Sequence, residues 1–320
     1  MKLVILLPAL NEELTIGAVV KSIPRQFDGI SEVVVLVIND GSKDKTAELA
    51  KNAGAVVVSH KNNRGVGSAF RTGLNASLEM GADILVNIDA DGQFSPIDIP
   101  LLINPILNNQ ADFVSGDRFS DEFGNLRKPK YMSPIKYWGN LQMASLISVL
   151  SDIKFYDVSC GFRAYSKEAM IRLNLTGKFT YTQESFLDLS YKGVEIKSVP
   201  VEVKYFPERE SRVANSLIRY MLQTIKIILR VYRDYKPAQF FGILGLFPFT
   251  GGLFCSLFVF IHFLNTQAFT PYKAVGFIGI YLVTLGILFW IVGLLADMFV
   301  RMRLNQEQIL YYEKKQLFDK

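Results

Sequence analysis

Two long stretches, Gln239 to Leu264 and Val275 to Val300, contain no Lys, Arg, Asp or Glu before Asp297, and nothing else in the 320-residue chain restricts its fold as much. At about 1.5 Å per helical residue, each is long enough to cross a hydrocarbon layer of about 30 Å. A buried helix of a soluble protein is the alternative for any apolar run, but length without charge favours a membrane span. Gly242, Gly245, Gly251 and Gly252 in the first stretch, and Gly276, Gly279, Gly286 and Gly293 in the second, allow close helix contact. Such contact also suits a homo-oligomer held through these transmembrane helices.

Basic residues flank the stretches unevenly. Lys226, Arg230, Arg233 and Lys236 precede the first, and Arg301, Arg303, Lys314 and Lys315 follow the second, whereas the connection holds only His262 and Lys273. The positive-inside rule then predicts an integral membrane protein with both termini, and everything before the spans, in the cytoplasm. Met1 opens a strand pattern rather than a charged segment with an apolar core, so no cleavable signal is expected. The formal net charge of +5 is concentrated beside the spans. It therefore points to anionic lipid headgroups of the bilayer and not to nucleic acid. Cys160 and Cys255 fall in a cytoplasmic loop and a span, which leaves no reason to pair them.

Just before the first span, Leu217, Ile218, Met221, Leu222, Ile225, Ile228, Leu229 and Tyr232 recur at helical spacing among Arg219, Lys226, Arg230 and Arg233. This pattern predicts an amphipathic helix over 213–236 lying in the bilayer interface, with packing against a soluble core as the alternative.

The opening part of the chain alternates short β-rich runs with helical patterns, as a doubly wound, mostly parallel α/β sheet of Rossmann-like type does. Strands are expected at Lys2 to Leu7, Val33 to Ile38, Ala55 to Val58, Ile84 to Ile88 and Phe113 to Ser115, all running parallel. Helices are expected near Thr15 to Ser22, Thr46 to Asn52, Gly67 to Met80 and Ile97 to Leu107. Each strand ends in polar residues: Asn11-Glu12-Glu13, Asn39-Asp40-Gly41-Ser42, Asn62 to Gly67, and Asp89-Ala90-Asp91-Gly92-Gln93. In an open α/β sheet these loops gather in one crevice at the carboxyl edge.

Asp89 and Asp91 carry most of the chemical information. Two carboxylates one residue apart at the end of a buried strand deliver hard oxygen ligands where a divalent cation would hold a diphosphate. Alone, an Asp-x-Asp pair reads equally as a solvated turn, Asp40 and Asp44 read as turn residues, and Asn63 to Ala69 lacks the spacing of a dinucleotide or Walker loop. His60 and His262 suggest no His-centred metal or triad chemistry. Arg118, after the fifth strand, is suited to phosphate by its planar fork, or else to a salt bridge with Asp117 or Asp121.

Together, Pro8-x-x-Asn11-Glu12, Asn39-Asp40-Gly41-Ser42, Asn63-x-Gly65-x-Gly67-x-Ala69, Asp89-x-Asp91-x-Gln93 and Cys160-Gly161-Phe162-Arg163 resemble family 2 glycosyltransferases, and within them the dolichyl- or polyprenyl-phosphate hexosyltransferases. The resemblance implies a GT-A-like catalytic domain over 1–212, the interface helix at 213–236, two transmembrane helices within 237–302 and a cytoplasmic tail at 303–320. It implies that Pro8, Asn11, Glu12 and Asp40 hold the base and ribose of a nucleotide-sugar donor. Asp89, Asp91 and Gln93 would bind Mg2+ or Mn2+ with the diphosphate, and Arg118 would support a phosphate. Asp157 or Glu184 is the carboxylate expected near the reacting atoms, with Arg163 on the acceptor phosphate. Arg209 and Arg212 occupy the place of an Arg-x-x-Ser-Lys element, with Arg212 in place of the Lys. The implied activity is inverting transfer of a hexose to a polyprenyl or dolichyl phosphate. Transfer to another lipid or glycan, and a non-catalytic nucleotide-sugar-binding scaffold, are the alternatives.

Overall fold

The structure, a computed structural model, describes residues 1–175, 181–204, 229–230 and 232–318. Contacts divide the chain into two compact units, one beginning at Met1 and taking in the chain end from Tyr311, the other reaching to Leu310.

The first unit is a seven-stranded sheet with helices. In chain order its elements are β1 (Lys2–Ala9), α1 (Ile16–Ser22), β2 (Glu32–Asn39), α2 (Thr46–Asn52), β3 (Val56–Ser59), α3 (Val66–Glu79), β4 (Ile84–Asn87), a single 3-10 turn (Pro96–Asp98), α4 (Ile99–Leu107), β5 (Phe113–Asp117), α5 (Pro134–Ser151), β6 (Arg163–Ser166), α6 (Lys167–Arg172), α7 (Tyr181–Tyr191) and β7 (Ile196–Pro200). The spatial order is β3-β2-β1-β4-β6-β5-β7. Leu3 through Leu7 are completely buried. A continuous apolar run of this kind is what a parallel strand covered on both faces requires, and each large aliphatic side chain removed from water contributes about 1.5–3 kcal/mol.

β1 pairs in parallel with β2 on one side and with β4 on the other. The winding direction reverses between β1 and β4, and that reversal opens the crevice in which such sheets bind ligands. The loops 10–15 and 88–95 leave the sheet at this point.

The sheet is mostly parallel, as expected, and the five expected strands share one direction; a further strand, β6, runs antiparallel between β4 and β5. Its first residue, Arg163, is therefore paired with Asn87 at the carboxyl edge of β4. This reversal brings the preceding Cys160-Gly161-Phe162 segment to the crevice. Four strand residues with a charged side chain at the first position carry no alternation that would reveal β6 beforehand.

The second unit contains α8 (Pro237–Thr266) and most of α9 (Lys273–Phe318), with mean hydropathies of 2.0 and 2.5 over their most apolar windows. Both are long and apolar enough to cross a membrane. Their glycines close the hairpin between them: a Cβ on Gly252 would lie 2.6 Å from the Gly279 carbonyl oxygen, and one on Gly245 2.8 Å from that of Gly286. Trp290 donates from Nε1 to the Gly242 carbonyl at 3.1 Å. Gly245, Gly252, Gly279 and Gly286 thus serve contact within one chain, whereas Cβ positions on Gly242 and Gly251 face open space. In the first unit, the end of α9 is tied to α6, with Tyr311 Oη donating to Glu168 at 2.9 Å and Lys167 Nζ to the Phe318 carbonyl at 2.8 Å. Most of the expected interface helix at 213–236 lies outside the described residues.

Candidate active site

Three loops form one wall of the crevice and fasten to one another. Asn11 adopts a left-handed backbone with φ of 54°, where its N–H donates to Ser42 Oγ and its side-chain oxygen accepts from the Lys43 N–H, each at 2.9 Å. Asn tolerates this conformation better than most residues. The Glu12 N–H donates to Thr46 Oγ1 at 2.8 Å, and Glu12 Oε2 accepts from Thr15 Oγ1 at 3.1 Å. Pro8 is half-buried in β1 opposite Ile38. Gly41, at φ of 75°, lies so close to the next loop that a Cβ would come within 2.6 Å of the Asn62 and Asn63 backbone. Asp40 is buried and accepts from the backbone N–H groups of Arg64 and Gly65, both at 2.9 Å. The glycine-rich loop is thus held by a carboxylate from the loop before it.

The acidic pair stands at the centre. Asp89 is half-buried, and burial first, then the Asp91 charge, push its carboxyl up to about 6, against the opposing charges of Arg118 and Arg163. A Cβ on Gly161 would lie 2.8 Å from both Asp89 carboxylate oxygens, so only glycine leaves room for this carboxylate. Asp91 Oδ1 accepts from the Gln93 N–H at 3.0 Å, which closes a tight turn through Gly92 at φ of 75°. Asn87, fully buried beneath, donates to the Gly161 carbonyl at 2.6 Å and keeps its own side-chain oxygen without a hydrogen-bond partner.

Asp91 stands close enough to Asp89 for its charge to raise the Asp89 carboxyl, so the two acids form a concentrated negative site. Their oxygens are the hard donors that suit Mg2+ or Mn2+. Among the described residues, no group of three or more His, Cys, Asp or Glu side chains stands in metal-holding geometry. The pair therefore fits a cation that completes its coordination with oxygens from elsewhere, as a diphosphate would supply. Gln93 lines a neighbouring cleft of about 540 Å3 together with Asp98, Asp121, Arg127 and Lys204.

On the acceptor side the structure redistributes the predicted roles. Arg118 pairs neither with Asp117 nor with Asp121. It donates from Nε to Asp157 Oδ2 at 2.6 Å and from Nη2 to Asp157 Oδ1 at 3.0 Å, with Ser159 Oγ 2.7 Å away. Asp157 is fully buried. Burial raises its carboxyl, but the Arg118 charge and the hydrogen bonds from Arg118 and Ser159 outweigh this and hold it below the usual carboxylate range. A carboxylate fixed in this way orients a guanidinium and is a poor proton acceptor.

Arg163 is also fully buried, and it donates to the carbonyls of Cys160, Thr182 and Val158 at 2.7, 2.7 and 3.0 Å. That leaves no exposed fork for an acceptor phosphate, so its expected contact is replaced by a structural one. Its charge still acts on Asp89 from inside. Glu184 is half-buried in the first turn of α7. Arg209 and Arg212 lie outside the described residues.

The sequence assigns no role to Lys136 and only a negative reading to His60. Lys136, in the first turn of α5, is lowered by burial and by the neighbouring Arg118 charge, so two cations converge there. His60 lies against Asp40. Neither carries a local motif, and only the fold brings them to the crevice. Cys160 is buried and pushed up to about 12, which keeps it a thiol and removes it as a nucleophile.

Comparison with known proteins bears on the family and the fold. The model of the family described as Glycosyl transferase family 2 matches residues 4–173. A UDP-N-acetylglucosamine–dolichyl-phosphate N-acetylglucosaminyltransferase from Methanococcus voltae is 32% identical over 239 residues, covering 68% of this chain and 92% of that one. An undecaprenyl-phosphate mannosyltransferase from Micrococcus luteus is 28% identical over 216 residues, 66% of this chain and 85% of that one. Glucosyl-3-phosphoglycerate synthase from Mycobacterium tuberculosis, solved with Mn2+, uridine diphosphate and glucosyl-3-phosphoglycerate, shares the fold with a TM-score of 0.53 at 23% identity, over 71% of this chain and 79% of that one.

Proposed function

The chain belongs to glycosyl transferase family 2, and from that premise we propose that it moves a hexose from a nucleotide sugar to a polyprenyl or dolichyl phosphate at the cytoplasmic face of a membrane. The observation that carries the reading is an acidic pair, Asp89 and Asp91, set within electrostatic reach of a braced cation: the charge of Arg118, which Asp157 holds in place, acts both on Asp89 and on Lys136. The two relatives named for lipid-phosphate acceptors carry different sugars, which supports the acceptor class and leaves the hexose open.

In this reading Asp89, Asp91 and Gln93 hold Mg2+ or Mn2+ with the donor diphosphate. When bound, the cation neutralises charge on the departing nucleoside diphosphate. Pro8, Asn11, Glu12 and Asp40 shape the nucleotide side. Arg118 and Lys136 receive the acceptor phosphate, with Arg209 and Arg212 expected to add to that charge. A phosphate monoester has a second pKa of about 6, so the nucleophile arrives largely as a dianion at neutral pH. Asp157 then serves as the brace that aims Arg118 and not as a general base. Glu184 remains the carboxylate expected to face the acceptor. Catalysis rests on holding two mutually repelling phosphates in line. Attack opposite the leaving group inverts the anomeric carbon.

The domain plan follows the same logic. A catalytic domain over 1–212 and an interface helix at 213–236 are tethered by two spans within 237–302, with 303–320 cytoplasmic, because the acceptor cannot leave the bilayer. Incubation of the purified full chain, a nucleotide-sugar panel and Mn2+ with either polyprenyl phosphate or diacylglycerol tests the acceptor. Product on the phosphate alone supports the proposal, and product on the neutral lipid alone overturns it.

A further inference from the structure

Asp40 is committed on three of its lone pairs before any donor arrives. A carboxylate offers about four hydrogen-bonding positions, two on each oxygen. Oδ1 accepts from the Arg64 N–H at 2.9 Å and contacts His60 Nδ1 at 2.6 Å, while Oδ2 accepts from the Gly65 N–H at 2.9 Å. The His60 ring is pinned at its far edge, where Nε2 lies 2.9 Å from Thr72 Oγ1 on α3. With a proton on Nδ1 the ring donates to Asp40, and its far edge meets the Thr72 hydroxyl. The His60 and Asp40 side chains are only 6% and 5% exposed. The carboxylate cannot swing, because the Gly41 backbone directly after it is packed against Asn62 and Asn63.

We infer that His60 is a specificity-determining positioning residue that leaves Asp40 one acceptor position, on Oδ2, and so selects a uridine-type donor over a guanosine-type one. The inference rests on the proposed role of Asp40 at the nucleotide base. Uracil presents a single imino N–H between two carbonyls, which one acceptor position matches. The corresponding edge of guanine presents an imino N–H beside an amino group, and such a pair needs both carboxylate oxygens side by side. With Oδ1 filled, guanine would keep one donor unmatched in a buried position, which costs roughly ten- to a hundredfold in affinity. Asn63 Oδ1 also accepts from the Gly65 N–H at 2.9 Å, so the loop is fixed from both ends and does not rearrange to release Oδ1.

Titrating the detergent-solubilised full chain with UDP and with GDP in the presence of Mn2+ tests this. Tighter UDP binding by roughly ten- to a hundredfold is expected. His60→Ala opens Oδ1, so the UDP-to-GDP preference should shrink by about tenfold, chiefly through gained GDP affinity. A merely structural loss would weaken both nucleotides in parallel and overturn the inference. Thr72→Val, which releases only the far edge of the ring, should shift the preference in the same direction by less. Should His60→Ala not fold, that variant and the unmodified chain still decide the matter. Equal binding of the two nucleotides, or preference for GDP, by the unmodified chain overturns the inference while leaving lipid-phosphate transfer standing. Binding of neither removes both this inference and the role of Asp40 beneath it.

Discussion

A carboxylate raised in the folded state destabilises the protein that carries it, so Asp89→Asn should make the metal-free protein more stable while abolishing its chemistry. Asp89 moves from 3.8 to about 6. Below roughly pH 4 it is protonated in both folded and unfolded chains and contributes nothing. Between there and about 6 the folded chain keeps the proton and the unfolded chain does not, so stability falls as pH rises. Above that window the deficit is constant. At about 1.36 kcal/mol per unit the ceiling is about 3 kcal/mol, and the water still reaching a half-buried carboxylate lowers the expected gain to roughly 1–2 kcal/mol. For a unit of this size that corresponds to a Tm rise of roughly 2–8 °C. Thermal melts of the detergent-solubilised chain in EDTA at pH 7.5 read it directly. The gap should disappear near pH 4, and added Mn2+ should stabilise the unmodified chain but not the variant. An Asp89→Asn protein no more stable than the unmodified one in EDTA at neutral pH would refute the reasoning.

Two other substitutions probe the same crevice. Gly161→Ala places a methyl carbon 2.8 Å from both Asp89 oxygens and should weaken Mn2+ binding by at least roughly tenfold with the fold intact, as calorimetric titration and circular dichroism would read together. Asp157→Asn removes the partner of a buried guanidinium, so a loss of about 3–5 kcal/mol is expected in chemical denaturation, with a raised KM for the lipid acceptor in whatever remains folded.

Strands β1, β2 and β4 were legible because unbroken Val, Leu and Ile runs leave few alternatives to a buried parallel strand, and the acidic pair was legible because it follows one of them directly. Both long apolar helices declared themselves by length and absence of charge. The acceptor side was not legible. Arg118 meets Asp157 across 39 residues, and Arg163 finds its carbonyls only because β6 turns back between β4 and β5. Whether an arginine touches a substrate or a buried carbonyl depends on such long-range pairing, and no local spacing encodes it. His60 illustrates the same limit. A lone histidine at a strand end carries no motif, yet the fold sets it against the carboxylate of Asp40.

Transfer of radiolabelled sugar from a nucleotide donor into extractable lipid, with polyprenyl phosphate present, is the most direct test of the account. With Mn2+ the unmodified chain should form labelled lipid and release nucleoside diphosphate in equal amounts. EDTA or Asp91→Ala should stop both while the protein stays folded. Undiminished transfer by the Asp91→Ala protein, or nucleotide binding without any release, would contradict it.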